Sequence, residues 1–201
     1  MRRFIVLALA CGVAAAAAGA PTYPVAAGST LQFQGTQQGE KFVGAVRSYD
    51  AKIAFDPADT AGSAFDVSMQ LKTIDSKSPE RDQAMQTVDW FDTAHFPLAT
   101  FRTVAFRSAG TGWVADADLS IKGRTKRIAF PFQFQKTTSG AVLDAKVALD
   151  RLDFGLGAGE WADDSMVGHR VEVWVHLVLA APAVSSAATK PQTKAAAQRP
   201  R

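Results

Sequence analysis

From Ser63 to Ile74 apolar and polar residues alternate one by one. Phe65, Val67, Met69 and Leu71 fall on one side, and Asp66, Ser68, Gln70 and Lys72 on the other. A period of two marks a strand with one dry face and one wet face. The same alternation opens at Leu31–Gln34 and runs through Gly112–Ile121, where Trp113, Ala115, Ala117, Leu119 and Ile121 oppose Asp116, Asp118 and Ser120. It returns in Arg127–Gln135 with Ile128, Phe130, Phe132 and Phe134, and in Val171–Ala180 with Val171, Val173, Val175, Leu177 and Leu179. Strand-like runs at Lys41–Phe55, Ala99–Arg107 and Ala141–Asp150 bring the predicted set to eight. Short turns join most of them, among them Asp56-Pro57, Ser108-Ala109-Gly110 and Lys122-Gly123-Arg124. Eight strands in a meander can close and leave no bare edge. The predicted fold is all-β, an eight-stranded antiparallel barrel, with a two-sheet sandwich as the second arrangement. Pro131 has no N–H to give, so its strand should be bulged there or lie near an edge.

Between the third and fourth strands the alternation stops. Ser78 can cap a helix, Pro79 suits its first position, and Glu80 and Asp82 favour the positive end of its dipole. A short helix is predicted from Pro79 to about Thr87. Asp89-Trp90-Phe91-Asp92 and Phe96-Pro97 follow. Aromatics between a helix and a proline fit a lid, with Trp90, Phe91 and Phe96 closing one mouth of the barrel.

The ends read differently from the middle. Met1-Arg2-Arg3, the apolar Phe4–Val13 and the alanine-rich 14–20 form a predicted signal peptide over residues 1–20, cut near Ala18 or Ala20. Residues 181–201 are Ala, Ser, Thr, Lys, Gln and Pro without periodicity, the composition of a disordered tail. That leaves one domain, residues 21–180, expected in the periplasm. Arg2, Arg3 and four tail bases account for the formal charge of +3; between the two ends 16 bases face 19 acids. Nothing in that balance suits a nucleic-acid surface. Four bases at the hairpin Lys122–Arg127 could meet an anionic membrane, but a solvated hairpin fits them better. Cys11, the only cysteine, falls within the signal, so the exported part should carry no disulfide or thiolate site.

Catalytic motifs are isolated. Asp153-Phe154-Gly155 spells a kinase magnesium motif without the loops that accompany one. Gly155, Gly157 and Gly159 lack the strand–turn–helix setting of a dinucleotide site. His95, His169 and His176 are scattered, and Glu160, Asp163 and Asp164 fit a solvated loop. No metal site, covalent cofactor or catalytic residue is expected. An enzyme using Asp82, Asp153 or a histidine is the weaker alternative. Phe33, Phe42, Phe65, Met69, Phe101, Trp113, Phe132 and Phe134 supply more bulk than a narrow barrel needs. They fit a filled core and a cavity wall equally.

Six pieces in order carry a resemblance: Thr36–Gly44, Phe55-Asp56-Pro57, Arg81-Asp82 before Trp90-Phe91-Asp92 and Phe96-Pro97, Thr100-Phe101, Ile121-Lys122-Gly123 with Thr125-Lys126, and Arg151–Gly155. Together they resemble the YceI-like family of periplasmic polyisoprenoid-binding proteins over about Tyr23–Leu179. The resemblance implies a lipocalin-like barrel whose apolar tunnel holds an isoprenoid lipid or quinone-like amphiphile, without catalysis. It turns the aromatic set into tunnel wall, joined by Val67, Leu71, Trp90, Phe91, Leu119 and Phe154. Lys77, Arg81 and Arg151 become candidates to meet a head group. Gly155–Trp161 resembles a branch associated with cytochrome b561-type membrane proteins, which makes a membrane cytochrome a candidate partner. A non-binding module docked on such a cytochrome is the other function weighed, and the assembly is open between monomer and homodimer.

Overall fold

A computed structural model describes residues 19–182. Most of the predicted signal peptide and nearly all of the predicted tail lie outside the described residues. Eleven strands form: β1 (Thr22–Tyr23), β2 (Thr30–Gln37), β3 (Glu40–Val46), β4 (Tyr49–Ala54), β5 (Ala64–Gln70), β6 (Ile74–Asp75), β7 (Leu98–Ala109), β8 (Gly112–Ile121), β9 (Arg124–Thr137), β10 (Gly140–Asp150) and β11 (Arg170–Ala180). Among the described residues one α-helix, α1 (Pro79–Met85), stands between β6 and β7. The strands make one antiparallel sheet, curled on itself, in the order β1-β4-β5-β7-β8-β9-β10-β11-β2-β3-β6.

The count is eleven where eight were predicted. Arg47 and Ser48 interrupt the run Lys41–Phe55, and a 3-10 turn at Leu71–Thr73 interrupts Ser63–Ile74. These two breaks hold each other. The Arg47 and Ser48 N–H groups donate to the Thr73 carbonyl and hydroxyl at 3.1 and 3.0 Å, and the Gln70 N–H donates to the Ser48 carbonyl at 3.0 Å. The third extra strand, Thr22–Tyr23, pairs with the end of β4 and is too short to show a pattern. Helix α1 begins as expected, with the Ser78 hydroxyl accepting from the Arg81 N–H. It stops two residues early, where the Thr87 hydroxyl donates to the Ala84 carbonyl at 2.8 Å.

Ion pairs cover the outer face. Arg127 reaches Asp118 at 2.7 Å, Lys146 reaches Glu172 at 2.8 Å and Arg102 reaches Asp66 at 3.3 Å. Arg127 holds the Asp118 carboxyl below its ordinary pKa. Exposed pairs of this kind add little to stability. Their placement still matters, because a wall that meets lipid would carry an apolar band outside.

Inside, the lower end is filled. The Phe55 ring is fully buried, with centroids of Phe134, Phe132, Phe106, Trp113 and Phe65 between 4.9 and 5.9 Å from its own. Tyr23 packs edge-on against Phe134. Such tilted contacts keep aromatic edges on aromatic faces and contribute beyond area alone. The upper end is different. On β11, Leu179 and Leu177 are buried, whereas Val175, Val173 and Val171 on the same face are only half-buried. On β10 the same change falls between Leu143 and Val147.

Candidate functional site

The half-buried residues face a cavity of about 240 Å³. Its walls are Leu31 and Phe33 of β2, Ile53 of β4, Val67 and Met69 of β5, Phe101 of β7, Leu119 of β8, Ile128 and Phe130 of β9, and Val147 and Leu149 of β10. Val171, Val173, Val175 and Leu177 of β11 complete the circuit. Met85, Trp90, Phe91, Phe154, Leu156 and Val167 cover the top. Tyr49 brings a hydroxyl to this wall, and burial pushes its phenol up, partly offset by a hydrogen bond with Ser29.

Of the fourteen predicted tunnel residues, Phe33, Phe42, Phe65, Val67, Met69, Leu71, Trp90, Phe91, Phe101, Leu119 and Phe154 line this cavity. Trp113, Phe132 and Phe134 do not. They sit at the lower ends of β8 and β9 and pack around Phe55, so they close the floor. The expected tunnel therefore ends at a filled floor. Phe96, expected in the lid, is also absent from the lining and packs against Gly123 of the β8–β9 hairpin. The sequence reading missed the aliphatic wall of β10 and β11. Their alternation was visible, but valine and leucine do not distinguish a cavity wall from a filled core.

Two of the wall phenylalanines lie on glycines. Phe33 pairs with Gly44, and Gly35 with Phe42, on adjacent strands. A Cβ at Gly35 would stand 2.7 Å from the Phe42 ring, and one at Gly44 would collide with Phe33. Gly44, one end of the Thr36–Gly44 piece, is thereby explained by contact rather than by backbone twist.

Arg151 is the best-held charge among the described residues, only 3% exposed. Its Nε donates to the Gly168 carbonyl at 3.2 Å. Nη1 donates to the carbonyls of Leu156 and Gly157, both at 2.7 Å, and Nη2 to those of Trp161 and Val167 at 2.5 and 2.7 Å. A guanidinium has five N–H groups, and all five are spent. Burial pushes its pKa down, while Asp150 and Asp164 push it up. The Trp90 ring lies 5.4 Å from the guanidinium. At Gly157, whose φ is +61°, a Cβ would strike both Trp90 and Arg151. Arg151 thus has no donor left for a head group; it fastens the cover formed by residues 151–168 and Trp90.

Lys77 departs from its expected role too. It is not among the lining residues, and its ammonium pairs with Asp75 at 3.1 Å on the surface. Arg81 does not line the cavity either, but it borders a residue that does and keeps free donors. Its guanidinium sits 3.9 Å above the ring of Phe42, itself a cavity residue. It donates to Gln37 and twice to Ser76, which leaves two N–H groups without a partner among the described residues.

The remaining charged candidates do not line the cavity. Asp82 accepts from the Ser76 N–H and hydroxyl, and Asp153 pairs with Lys126 at 3.0 Å. His95 pairs with Asp92, His176 with Asp144, and His169 with the Ala162 carbonyl. Asp163 and Asp164 accept main-chain N–H groups of Ser165 and His169. Among the described residues no three His, Cys, Asp or Glu side chains gather as a metal site. Three of the four hairpin bases are likewise engaged, with Lys122 on the Gly155 carbonyl, Lys126 on Asp153 and Arg127 on Asp118.

Comparison with known proteins gives a consistent picture. The sequence model of the YceI-like domain matches residues 24–179. A UPF0312 protein of Vibrio cholerae is 28% identical over 146 residues, which is 67% of this chain and 77% of that protein. A UPF0312 protein of Shewanella denitrificans is 32% identical over 103 residues, 50% of this chain and 53% of that protein. This chain thus spans about half the length of several curated relatives it matches. The crystal structure of Burkholderia cenocepacia BcnA has a TM-score of 0.73 at 27% identity, covering 77% of this chain and 98% of that one. A structure described as a polyisoprenoid binding domain from Saccharophagus degradans, implicated in plant cell wall breakdown, has a TM-score of 0.61 at 16% identity. It covers 82% of this chain and 100% of that one, and at that identity it shows a shared fold.

Proposed function

We propose, from the premise that this chain belongs to the YceI-like domain family, that it binds an isoprenoid lipid or quinone-like amphiphile as a carrier, scavenger or store. The observation that carries the proposal is the half-buried row Val171, Val173 and Val175, apolar side chains facing a void. The description of the Saccharophagus neighbour as a polyisoprenoid binding domain supports the ligand class. We take β3 with β4, and β5 with β6, as two kinked strands. The pairings then return from β11 to β2, as in an eight-stranded lipocalin-like barrel.

From Leu143 to Leu149 the wall rises about six residues; at ~3.3 Å per residue and a tilt of ~40° that is about 15 Å. A chain of about a dozen carbons fits such a depth, and burying it is worth roughly 10 kcal/mol gross. Association costs of at least about 4 kcal/mol leave an affinity of the order of tens of micromolar from the chain alone. Arg81, whose guanidinium lies over Phe42, would add a phosphate or a quinone oxygen to that. Export through residues 1–20 to the periplasm belongs to the same proposal. The non-binding cytochrome-docking alternative called for a filled interior, and the void weighs against it. Enzymatic use of Asp82, Asp153 or a histidine is disfavoured because none of them lines the cavity.

Trp90 makes a direct probe. In a Trp113→Phe, Trp161→Phe, Trp174→Phe background its emission reports the cavity alone. Titration with farnesol should quench or blue-shift that emission and saturate at one equivalent. An emission that never saturates, or does so equally with Val173→Phe filling the same space, would overturn the proposal.

A further inference from the structure

The wall is not bonded all the way round. β9 and β10 pair from Thr137↔Gly140 only as far as Phe132↔Ala145. Above that rung Arg124–Pro131 is bonded to β8 alone, and Lys146–Asp150 to β11 alone. The ladder stops where its chemistry does. Pro131 has no N–H and follows the register to the position opposite Lys146. Continued upward, that register would set Phe130 against Val147, Ala129 against Ala148 and Ile128 against Leu149. No main-chain pairing crosses the seam between those two stretches.

The seam opens onto the site. Its inner edges, Ile128 and Phe130 on one side and Val147 and Leu149 on the other, all line the cavity. Its outer edges carry Ala129 and Ala148, both exposed. Five unbonded residues on β10 span ~16 Å of wall. At the top, the exposed pair Lys126–Asp153 ties β9 to the turn after β10. Outside the lower corner runs a groove walled by Pro131, Gln133, Lys146 and Trp174.

We propose that this β9–β10 seam is the door through which an apolar chain enters and leaves the cavity, while the cover held by Arg151 stays shut. Parting the seam breaks no main-chain ladder and one exposed ion pair. Lifting the cover instead strips all five donors from a buried guanidinium. The inference rests on the lipid-binding reading of the cavity and adds the route.

A door changes the barrier and not the end states, so on- and off-rates must move together. The test joins Ala129→Cys to Ala148→Cys with a short bis-maleimide in the full chain carrying Cys11→Ser. Dansyl-labelled farnesol is the probe in stopped flow, and each single cysteine variant capped with the same reagent is the control. Joining should slow both rates at least about tenfold and leave the dissociation constant within about twofold. Unchanged rates with binding intact would overturn the door and leave the binding site standing. Absence of saturable binding before joining would remove both. Hydrogen exchange gives a second reading that needs no variant. Some amides of Arg124–Ala129 and Val147–Leu149 should exchange fast. Protection throughout, equal to that of the β10–β11 ladder, would also overturn the door.

Discussion

Arg151→Met is expected to lower stability by about 4 kcal/mol or more, read as a fall in the thermal midpoint of roughly 10–15 °C. The side chain of methionine can fill much of the space but donates nothing. Five main-chain carbonyls, on Leu156, Gly157, Trp161, Val167 and Gly168, then lose their donor together. The Leu156 and Gly157 carbonyls are buried and forfeit their hydration as well as the bond, and the three part-buried ones add to this, which is why the loss exceeds a single hydrogen bond. Arg151→Lys should recover less than half, because three donors on a point charge cannot replace a planar fork of five. A near-native midpoint for Arg151→Met would mean that the cover is held by the Trp90 and Trp161 packing instead.

The second large effect separates floor from cavity. Phe55→Ala removes a fully buried ring at the centre of five aromatic contacts, and about 3–5 kcal/mol should be lost. Farnesol binding, measured where the variant is still folded, should change little, since Phe55 does not line the cavity. Val173→Trp should do the reverse. Its side chain points into a void, so the usual overpacking penalty of about 1–3 kcal/mol should largely be absent. Occupying that void should weaken binding by at least about a hundredfold, the loss of several buried methylenes. Chemical denaturation and probe titration on the same preparations read both quantities. If Val173→Trp instead lowers stability by the full overpacking penalty and leaves affinity intact, the space opposite Val173 is core.

Much of this architecture was legible in the alternation of residues. The inward faces of β5, β8, β9 and β11 follow directly from Phe65–Leu71, Trp113–Ile121, Ile128–Phe134 and Val171–Leu179. The two breaks at Arg47-Ser48 and Leu71–Thr73 were not, because each exists through bonds to the other across strands distant in sequence. Height within the barrel was also hidden. A period of two tells which side a residue faces but not how far along the barrel it stands, so Trp113 at the floor and Phe101 in the cavity looked alike. Arg151 was misread for a related reason. A lone arginine in sequence looks available, and only the positive-φ turns at Gly155 and Gly157 hint that carbonyls converge on it. At Pro131 β9 is not bulged, since its register with β8 runs straight through, but the ladder to β10 ends beside it.

The most direct test of the lipid site needs no variant. The full chain is produced in a host that makes isoprenoids, purified without detergent, extracted with organic solvent and analysed by mass spectrometry alongside a parallel extract of Val173→Trp. A prenyl chain should be recovered from the native protein at close to one equivalent and be depleted in the cavity-filled variant. Equal recovery from both, or no prenyl chain from the native protein across repeated preparations, would contradict a lipid held against Val171, Val173 and Val175.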